Sequence, residues 1–301
     1  MLKNHFKFMF RNLWANKTFS FLNIFGLAIG IACAGLIFLW VEDETSFNNI
    51  NVKKDRLYQL EVNMSVGGRS FTMGSTPRPM AAALQSEISG IAHAARYSDN
   101  EERRLFTFED KSIYLSGRFT DPALFSMFTF DFVEGNANTP FPQYYTVVLT
   151  ESSARKFFGE KGQAVGKIVR INNRHDYTVS GVIKDLPGNS TLQFDWLAPY
   201  ERTITGGEDS TVRRGDATNW SSFGPYTFVE LDQSANPSLV DHQLRDFISN
   251  KSSDRKSETF LFPMKDWRLY SEFANGKPTG GGRIQQVHLL SVLAWIILLI
   301  A

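Results

Sequence analysis

The sequence predicts an α+β chain in three parts. A transmembrane helix leads into a soluble domain, in which a split βαβ unit holds an inserted β-rich unit; the start of a second transmembrane helix follows. Three observations predict it. An unbroken apolar run covers Thr18–Val41, strand–helix–strand periodicity appears near residue 60 and again near residue 226, and Gln285–Ala301 turns apolar once more.

The first run, TFSFLNIFGLAIGIACAGLIFLWV, contains no charge, and Asn23 is its only strongly polar side chain. As a helix, Phe19–Val41 would be ~34 Å long at ~1.5 Å per residue, enough to cross a hydrocarbon core of ~30 Å. A soluble core helix would carry a polar face, and this run has none. A cleavable signal peptide has an apolar core of only ~7–15 residues and a small-residue cleavage site. Here the run ends in Leu39-Trp40-Val41 and meets acid at once. A lipoprotein signal at Cys33 fits poorly too, because the apolar stretch continues past the cysteine. Lys3, Lys7, Arg11 and Lys17 precede the helix without an acid, and Glu42, Asp43 and Glu44 follow it. The positive-inside rule therefore places the N-terminus in the cytoplasm and the large domain outside.

Residues 1–17 read as a cytoplasmic amphipathic helix. Leu2, Phe6, Met9, Phe10, Leu13 and Trp14 fall on one face at helical spacing, with Lys3, Lys7 and Arg11 beside them. Such a helix docks on an anionic inner surface through Lys3, Lys7, Arg11 and Lys17, with Phe6, Phe10 and Trp14 in the interface. Within the span, Gly26, Gly30 and Ala34 recur every four residues, a small-residue ladder that lets another membrane helix approach.

Residues 42–286 have soluble character. Tyr58, Leu60, Val62 and Met64 alternate as a strand, Pro79-Met80 opens a helix with Met80, Ala83, Leu84 and Ile88 on one face, and Ala94–Tyr97 returns as a strand. The plan recurs later. Tyr226–Leu231 is a strand, Asn236-Pro237 a helix start, and Leu239, Val240, Leu244, Phe247 and Ile248 mark one face before a strand at Thr259–Phe262. One α/β unit, 50–102 with 217–268, is thus split by an insertion at 103–205. The insertion is mostly β, with alternation at Ile113, Leu115, Gly117, Phe119 and at Tyr177, Val179, Gly181. Short helices start at Asp121-Pro122 and after Thr150, where Thr150 and Ser152 can cap, while Asp185–Asn189 makes a turn. Residues 203–216 form an exposed loop, and Gly280-Gly281-Gly282 a flexible approach to the membrane. Residues 287–301 are too short to span, so the sequence reads as a fragment whose second membrane helix is cut off.

Composition excludes several functions. The formal net charge of +1 gives no bulk attraction to nucleic acid. The lone Cys33 allows no internal disulfide. The five histidines are scattered without metal-ligand spacing, so no metal site is expected. Gly162–Lys167 is one residue short of a phosphate loop, and Ile168 stands where magnesium would need a hydroxyl; it reads as a turn before a strand. No nucleophile elbow, dyad or triad is spaced for catalysis, so no enzyme activity and no cofactor in this chain are expected.

With this layout the sequence resembles the N-terminal part of a MacB-like (FtsX-superfamily) ABC transporter permease. The resemblance runs through Arg11-Asn12-Leu13, Asn16-Lys17, Asn23–Gly30, Asp55–Tyr58 and Thr76-Pro77 through Leu84. It continues through Asp121-Pro122 with Leu124-Phe125 and Met127-Phe128, Val148–Glu151 with Ala154, Lys156 and Phe158-Gly159, and Gly166-Lys167. Gly181–Ile183 and Asp185–Pro187 with Asn189-Ser190 complete it. Ser89-Gly90-Ile91 and Trp295 depart from the family pattern.

The resemblance implies a porter-like split subdomain, 50–102 and 217–268, around an inserted one, in a periplasmic core domain held in the bacterial inner membrane. It implies an ABC ATPase partner that uses the ATP, a second permease copy or paralogue beside the lipid bilayer, and a periplasmic adaptor or envelope protein outside. The expected mechanism is mechanical: ATP-driven closure of the ATPase moves the membrane helices, and the periplasmic domain changes shape for export or envelope signalling. A membrane-anchored extracytoplasmic sensor is the alternative with the same topology.

Overall fold

The structure is a computed structural model, which describes residues 11, 14–66, 69–160, 162–204, 214–252, 256–274 and 277–300. The first helix, α1, runs Lys17–Thr45, one turn beyond the apolar run at its C-terminal end. Its apolar side chains, Phe21, Leu36 and Leu39 among them, are exposed, and by length and composition the helix is able to cross a membrane.

Four strands form the split unit: β1 (Leu57–Val66), β4 (Ile91–Tyr97), β12 (Phe223–Leu231) and β13 (Ser257–Pro263). They lie in the order β4-β12-β1-β13, each antiparallel to its neighbour. The two strands of each strand–helix–strand unit are therefore never adjacent. Each pair is separated by a strand of the other unit, a split βαβ arrangement. Two short strands, β2 (Arg69–Met73) and β3 (Ser75–Pro77), extend β1 and β12. One face of the sheet carries Leu60, Val62, Met64 and Val229, packed under α2 (Met80–Glu87), α6 (Pro237–Leu244) and α7 (Phe247–Lys251).

The single helix expected after Asn236 is two. It breaks at Arg245-Asp246, and Leu239, expected on the buried face, is 63% exposed. Val240 and Leu244 alone complete that face. Asn236 caps α6, its Oδ1 accepting from the Ser238 amide at 3.0 Å. Asn236→Ala should cost about 1 kcal/mol, read as a lower urea midpoint with unchanged slope.

The inserted unit comprises β5 (Glu102–Phe108), β6 (Lys111–Thr120), β7 (Phe132–Gly135), β8 (Thr146–Thr150), β9 (Ile168–Ile171), β10 (His175–Ile183) and β11 (Trp196–Pro199). Six of them close a ring, β6-β5-β9-β10-β8-β11. β11 shuts it by running parallel to β6 and antiparallel to β8, which leaves no open edge within the ring. Trp196 fills the centre with Phe106 and Phe119 at ring distances of 5.8 and 5.3 Å, and its indole donates to the Leu115 carbonyl. Gly117 is glycine because a Cβ there would overlap the Trp196 carbonyl and indole.

Helix α3 (Leu124–Met127) follows Asp121-Pro122, and α4 (Glu151–Phe158) follows Thr150. The cap of α4 comes from neither Thr150 nor Ser152. Asp185, from the predicted turn, accepts the Ser152 amide at 3.0 Å, while the Thr150 hydroxyl bonds Ser153.

The two units share one sheet and one core. β4 pairs with β6 at Tyr97 and Thr120. A second cluster packs Phe125, Phe128, Phe194 and Leu197 of the insertion against Leu57 and Phe228 of the split unit. Phe228 stacks on Trp267 at 5.1 Å and meets Phe128 edge-on at 5.3 Å. After α5 (Glu201–Ile204), most of the loop expected at 203–216 lies outside the described residues. Past β13, the hairpin of β14 (Glu272–Ala274) and β15 (Lys277–Gly280) leads into α8 (Ile284–Ile300). The glycines before α8 are a packed turn rather than a flexible approach. Gly281 and Gly282 have φ of +68° and +53°, a Cβ at 282 would press on the Leu269 carbonyl, and the Gly282 amide donates to Ser271 Oγ at 2.8 Å.

Candidate functional site

The three chain segments joining helices to domain meet at one place. The last turn of α1 presents Glu44, which is 4% exposed although it follows a membrane-type helix. Arg268, just after Trp267, grips this carboxylate in a fork, Nε at 2.7 Å and Nη2 at 3.2 Å. Arg283, one residue before α8, reaches the same carboxylate at 3.7 Å. The Arg268 guanidinium also lies 4.4 Å from the Phe47 ring. A carboxylate so far out of water is stable only when paired, and both cations come from the chain that leads into α8. Glu44 is thus the point at which α1 and the segment leading into α8 are tied together and to the sheet.

The segment from Ser46 to Arg56 is fastened along its whole length. Asn48 is buried at φ +63°, a conformation that asparagine tolerates better than residues with bulkier side chains. Its side chain exchanges two bonds with Thr191 of the insertion, each 2.8 Å, and its amide donates to the Asn189 carbonyl. The Asn51 side chain accepts from the Thr129 amide at 3.1 Å, and the Val52 amide donates to Thr129 Oγ1 at 3.0 Å. Lys53 and Arg56 both reach Glu230 of β12, at 2.9 and 3.2 Å, where Glu230 is buried. The exit from α1 therefore holds the insertion at Ser126, Thr129, Asn189 and Thr191, and the split unit at the buried Glu230 and the Leu231 carbonyl. Asn48→Ala should loosen it by about 2 kcal/mol through two lost bonds and a strained backbone. Asn48→Gly should recover roughly half by relieving the backbone alone, which comparative thermal melts would resolve.

Behind this junction, α1 and α8 run side by side. Ala34 and Ala294 are both fully buried between α1 and α8, and Phe38 meets Trp295 edge-on at 5.5 Å. Toward the other end, Gly26 and Gly30 line a groove of about 640 Å³ with Leu22, Asn23, Ile297 and Ile300, and space around Gly26 is open. Of the basic N-terminal stretch, Arg11 and Trp14 are helical and exposed, and Lys17 lies 4.8 Å from the Trp14 ring. Lys3, Phe6, Lys7 and Phe10 fall outside the described residues.

A third buried acid lies on the sheet face opposite the helices. Glu61 of β1 is 6% exposed and pairs across the sheet with Phe260. Gln59 Nε2 donates to its carboxylate at 2.9 Å. Phe273 of the hairpin before α8 packs on Phe260 and Phe262, with ring distances of 5.7 and 5.0 Å. Burial pushes the Glu61 carboxyl up from 4.5 to about 7, and the Gln59 bond only partly opposes it.

Reading the sequence found none of the junction acids. Glu42, Asp43 and Glu44 served there only as a topology flank, and the single available signal was a third acid lying one helical turn past Val41. Among the described residues no cluster of histidine, cysteine and acids could hold a metal.

The family model of the MacB-like periplasmic core domain matches residues 20–247. No curated protein matches the chain significantly. Among solved structures, a domain assigned to a permease protein of Porphyromonas gingivalis is 19% identical, with a TM-score of 0.58 over 79% of this chain and 98% of that one. The periplasmic region of MacB from Actinobacillus actinomycetemcomitans is 17% identical, with a TM-score of 0.47 over 70% of this chain and 90% of the other. The extracellular domain of the noncanonic ABC-type transporter YknZ from Gram-positive bacteria is 12% identical, with a TM-score of 0.49 over 68% and 99%.

Proposed function

Because the chain belongs to the MacB-like periplasmic core domain family, we propose that it works as the permease subunit of an ABC-type transporter. In this reading an ATPase on the cytoplasmic side moves α1 and α8, and the domain beyond the membrane carries that movement to a substrate or an envelope protein. The chain itself supplies no catalysis. Its N-terminus lies in the cytoplasm of a bacterium and its domain in the periplasm, with a second permease copy alongside.

The observation that carries this reading is the Glu44–Arg268–Arg283 junction, in which one buried carboxylate joins both membrane helices to the sheet. A displacement of α1 pulls on Arg268, and Trp267 beside it is stacked into the core shared by the two units. That shared core also favours a particular kind of motion. The aromatic layer around Phe128 and Phe228 and the β4–β6 pairing join the units, and well-packed interiors transmit strain rather than absorb it. The domain then swings as one body, and the porter-like and inserted units do not open against each other.

Spin labels on Tyr114 and Leu239, both exposed, test the motion in the full chain reconstituted with the ABC ATPase of its own source. The Tyr114–Leu239 distance should stay fixed through the ATP cycle while the distance from Leu239 to its copy in a second permease changes. A changing distance within the domain would replace the rigid swing by an opening of the units. No ATP response in either distance would remove the coupling reading.

A further inference from the structure

The loop after α1 exposes apolar side chains that its own structure gives no reason to expose. Val52 is 86% and Ile50 40% exposed, yet the backbone carrying them is held by the Asn48, Asn51 and Thr129 bonds described above. A rigid loop whose polar groups are satisfied inward and whose apolar ones point outward loses free energy in water.

Its position says what covers it. Leu57, Leu231 and Pro263 share the end of the sheet at which α1 enters and from which the chain leads to α8. Thr45 ends α1 four residues past Val41, ~6 Å at ~1.5 Å per residue. The headgroup layer on each side of the hydrocarbon core is of that same depth, roughly 5–8 Å. The loop then turns back on itself, the Asn49 amide donating to the Ser46 carbonyl and the Asn51 amide to that of Asn48, so Ile50 and Val52 stay close to the level at which α1 leaves the lipid. Lys54 follows them, its ammonium meeting only the neutral Asn49 side chain among the described residues. Exposed aliphatics at headgroup depth, beside a lysine whose ammonium can reach lipid phosphate, match a bilayer surface.

We propose that Ile50 and Val52 rest in the outer headgroup layer of the membrane that α1 crosses, giving the domain a second lipid contact that fixes its tilt. The inference rests on α1 being a membrane span. The contact extends the lipid-facing surface of α1 sideways under the domain. With Glu44 locked to Arg268, a tilt of α1 alone would have to lift this loop from the lipid or drag it along the surface.

The test uses the full chain with Cys33→Ala, spin-labelled at single introduced cysteines and reconstituted into vesicles of phosphatidylethanolamine with about one third phosphatidylglycerol, a strongly anionic surface. The sites are Asn49 beside the patch, Leu36 in the span and Tyr114 on the far unit. Collision rates with oxygen, which concentrates in lipid, and with a water-soluble nickel chelate report depth. The expected result is a nickel accessibility at Asn49 severalfold below that at Tyr114 and above that at Leu36. In Ile50→Asp/Val52→Asp it should rise to the Tyr114 level while Leu36 is unchanged. An Asn49 label as open to nickel as Tyr114, with Leu36 deep in lipid, overturns the proposal and spares the span. A Leu36 label open to nickel overturns the span and the proposal together. An Asn49 depth unchanged by the two aspartates overturns the assignment to Ile50 and Val52.

Discussion

Arg268→Ala is expected to release the junction without unfolding the domain. The substitution leaves Glu44 buried with only Arg283, 3.7 Å away, as a partner. Removing one member of a buried pair costs about 3–5 kcal/mol, and the second arginine keeps the loss near the lower end. About 3 kcal/mol corresponds to a more than hundredfold rise in local opening, which hydrogen exchange at amides 44–52 reads directly. Amides of β10, inside the closed ring, should be unaffected. The pairing itself is isolated by a double-mutant cycle with Glu44→Gln. Glu44→Gln alone should be the milder change, because the arginines it leaves are partly exposed. The consequence for function follows from the same geometry. If α1 and α8 act on the domain through this carboxylate, Arg268→Ala should keep ATP hydrolysis by the partner and lose most of the transport it drives. Equal transport by the variant and the parent, with the exchange increase present, would place the coupling elsewhere.

Glu61→Gln is expected to stabilise the protein above neutrality. The folded carboxyl titrates near 7 and the unfolded one near 4.5, so the folded state holds the proton more tightly. Stability contributed by the neutral Glu61 is complete below pH 4.5 and is lost as pH rises through 7. The loss over that window is about 3 kcal/mol, at about 1.4 kcal/mol per pH unit. Glutamine reproduces the neutral form and can still accept from Gln59. The parent should therefore show a falling urea midpoint from pH 4.5 to pH 8, the variant a nearly flat one, and the two should agree at about pH 4. A parallel fall in both would assign the pH dependence to other groups. Phe273, packed on Phe260, the cross-strand neighbour of this acid, belongs to the hairpin that leads into α8, so the amides of that hairpin should lose protection first as the parent is taken from pH 5 to pH 8.

What the sequence determined by itself is what short-range periodicity encodes. The length and uniform apolarity of Thr18–Val41 define α1, because no charge or proline interrupts the run and no polar face divides it. Alternation at Leu60, Val62 and Met64 fixes both the strand and its buried face, since a shift by one residue would turn that whole set to the other side. The helix starts at Met80 and Pro237 and the turn after Asp185 were equally local, set by proline, asparagine and glycine acting on their own backbone. Even the resemblance to the permease family depended on such stretches taken in order.

Only the tertiary structure decided the rest, because the partners lie too far apart for any periodicity to link them. Glu44 and Arg268 are separated by 224 positions, and nothing in the run Glu42-Asp43-Glu44 distinguishes the acid that is buried from its two exposed neighbours. Trp196 closes the ring only because Gly117, on another strand, leaves room for it. The α6 helix breaks before Phe247 although its hydrophobic spacing runs on, and Asp185 rather than the adjacent hydroxyls caps α4. Glu61 sits in a strand whose pattern predicts a polar outward position. A hairpin more than two hundred residues downstream brings Phe273 onto that face, and burial there makes the acid pH-sensitive. Local sequence chooses elements and their faces; which faces meet is chosen by the packing of the whole chain, and the junction that joins α1 and α8 to the domain exists only there.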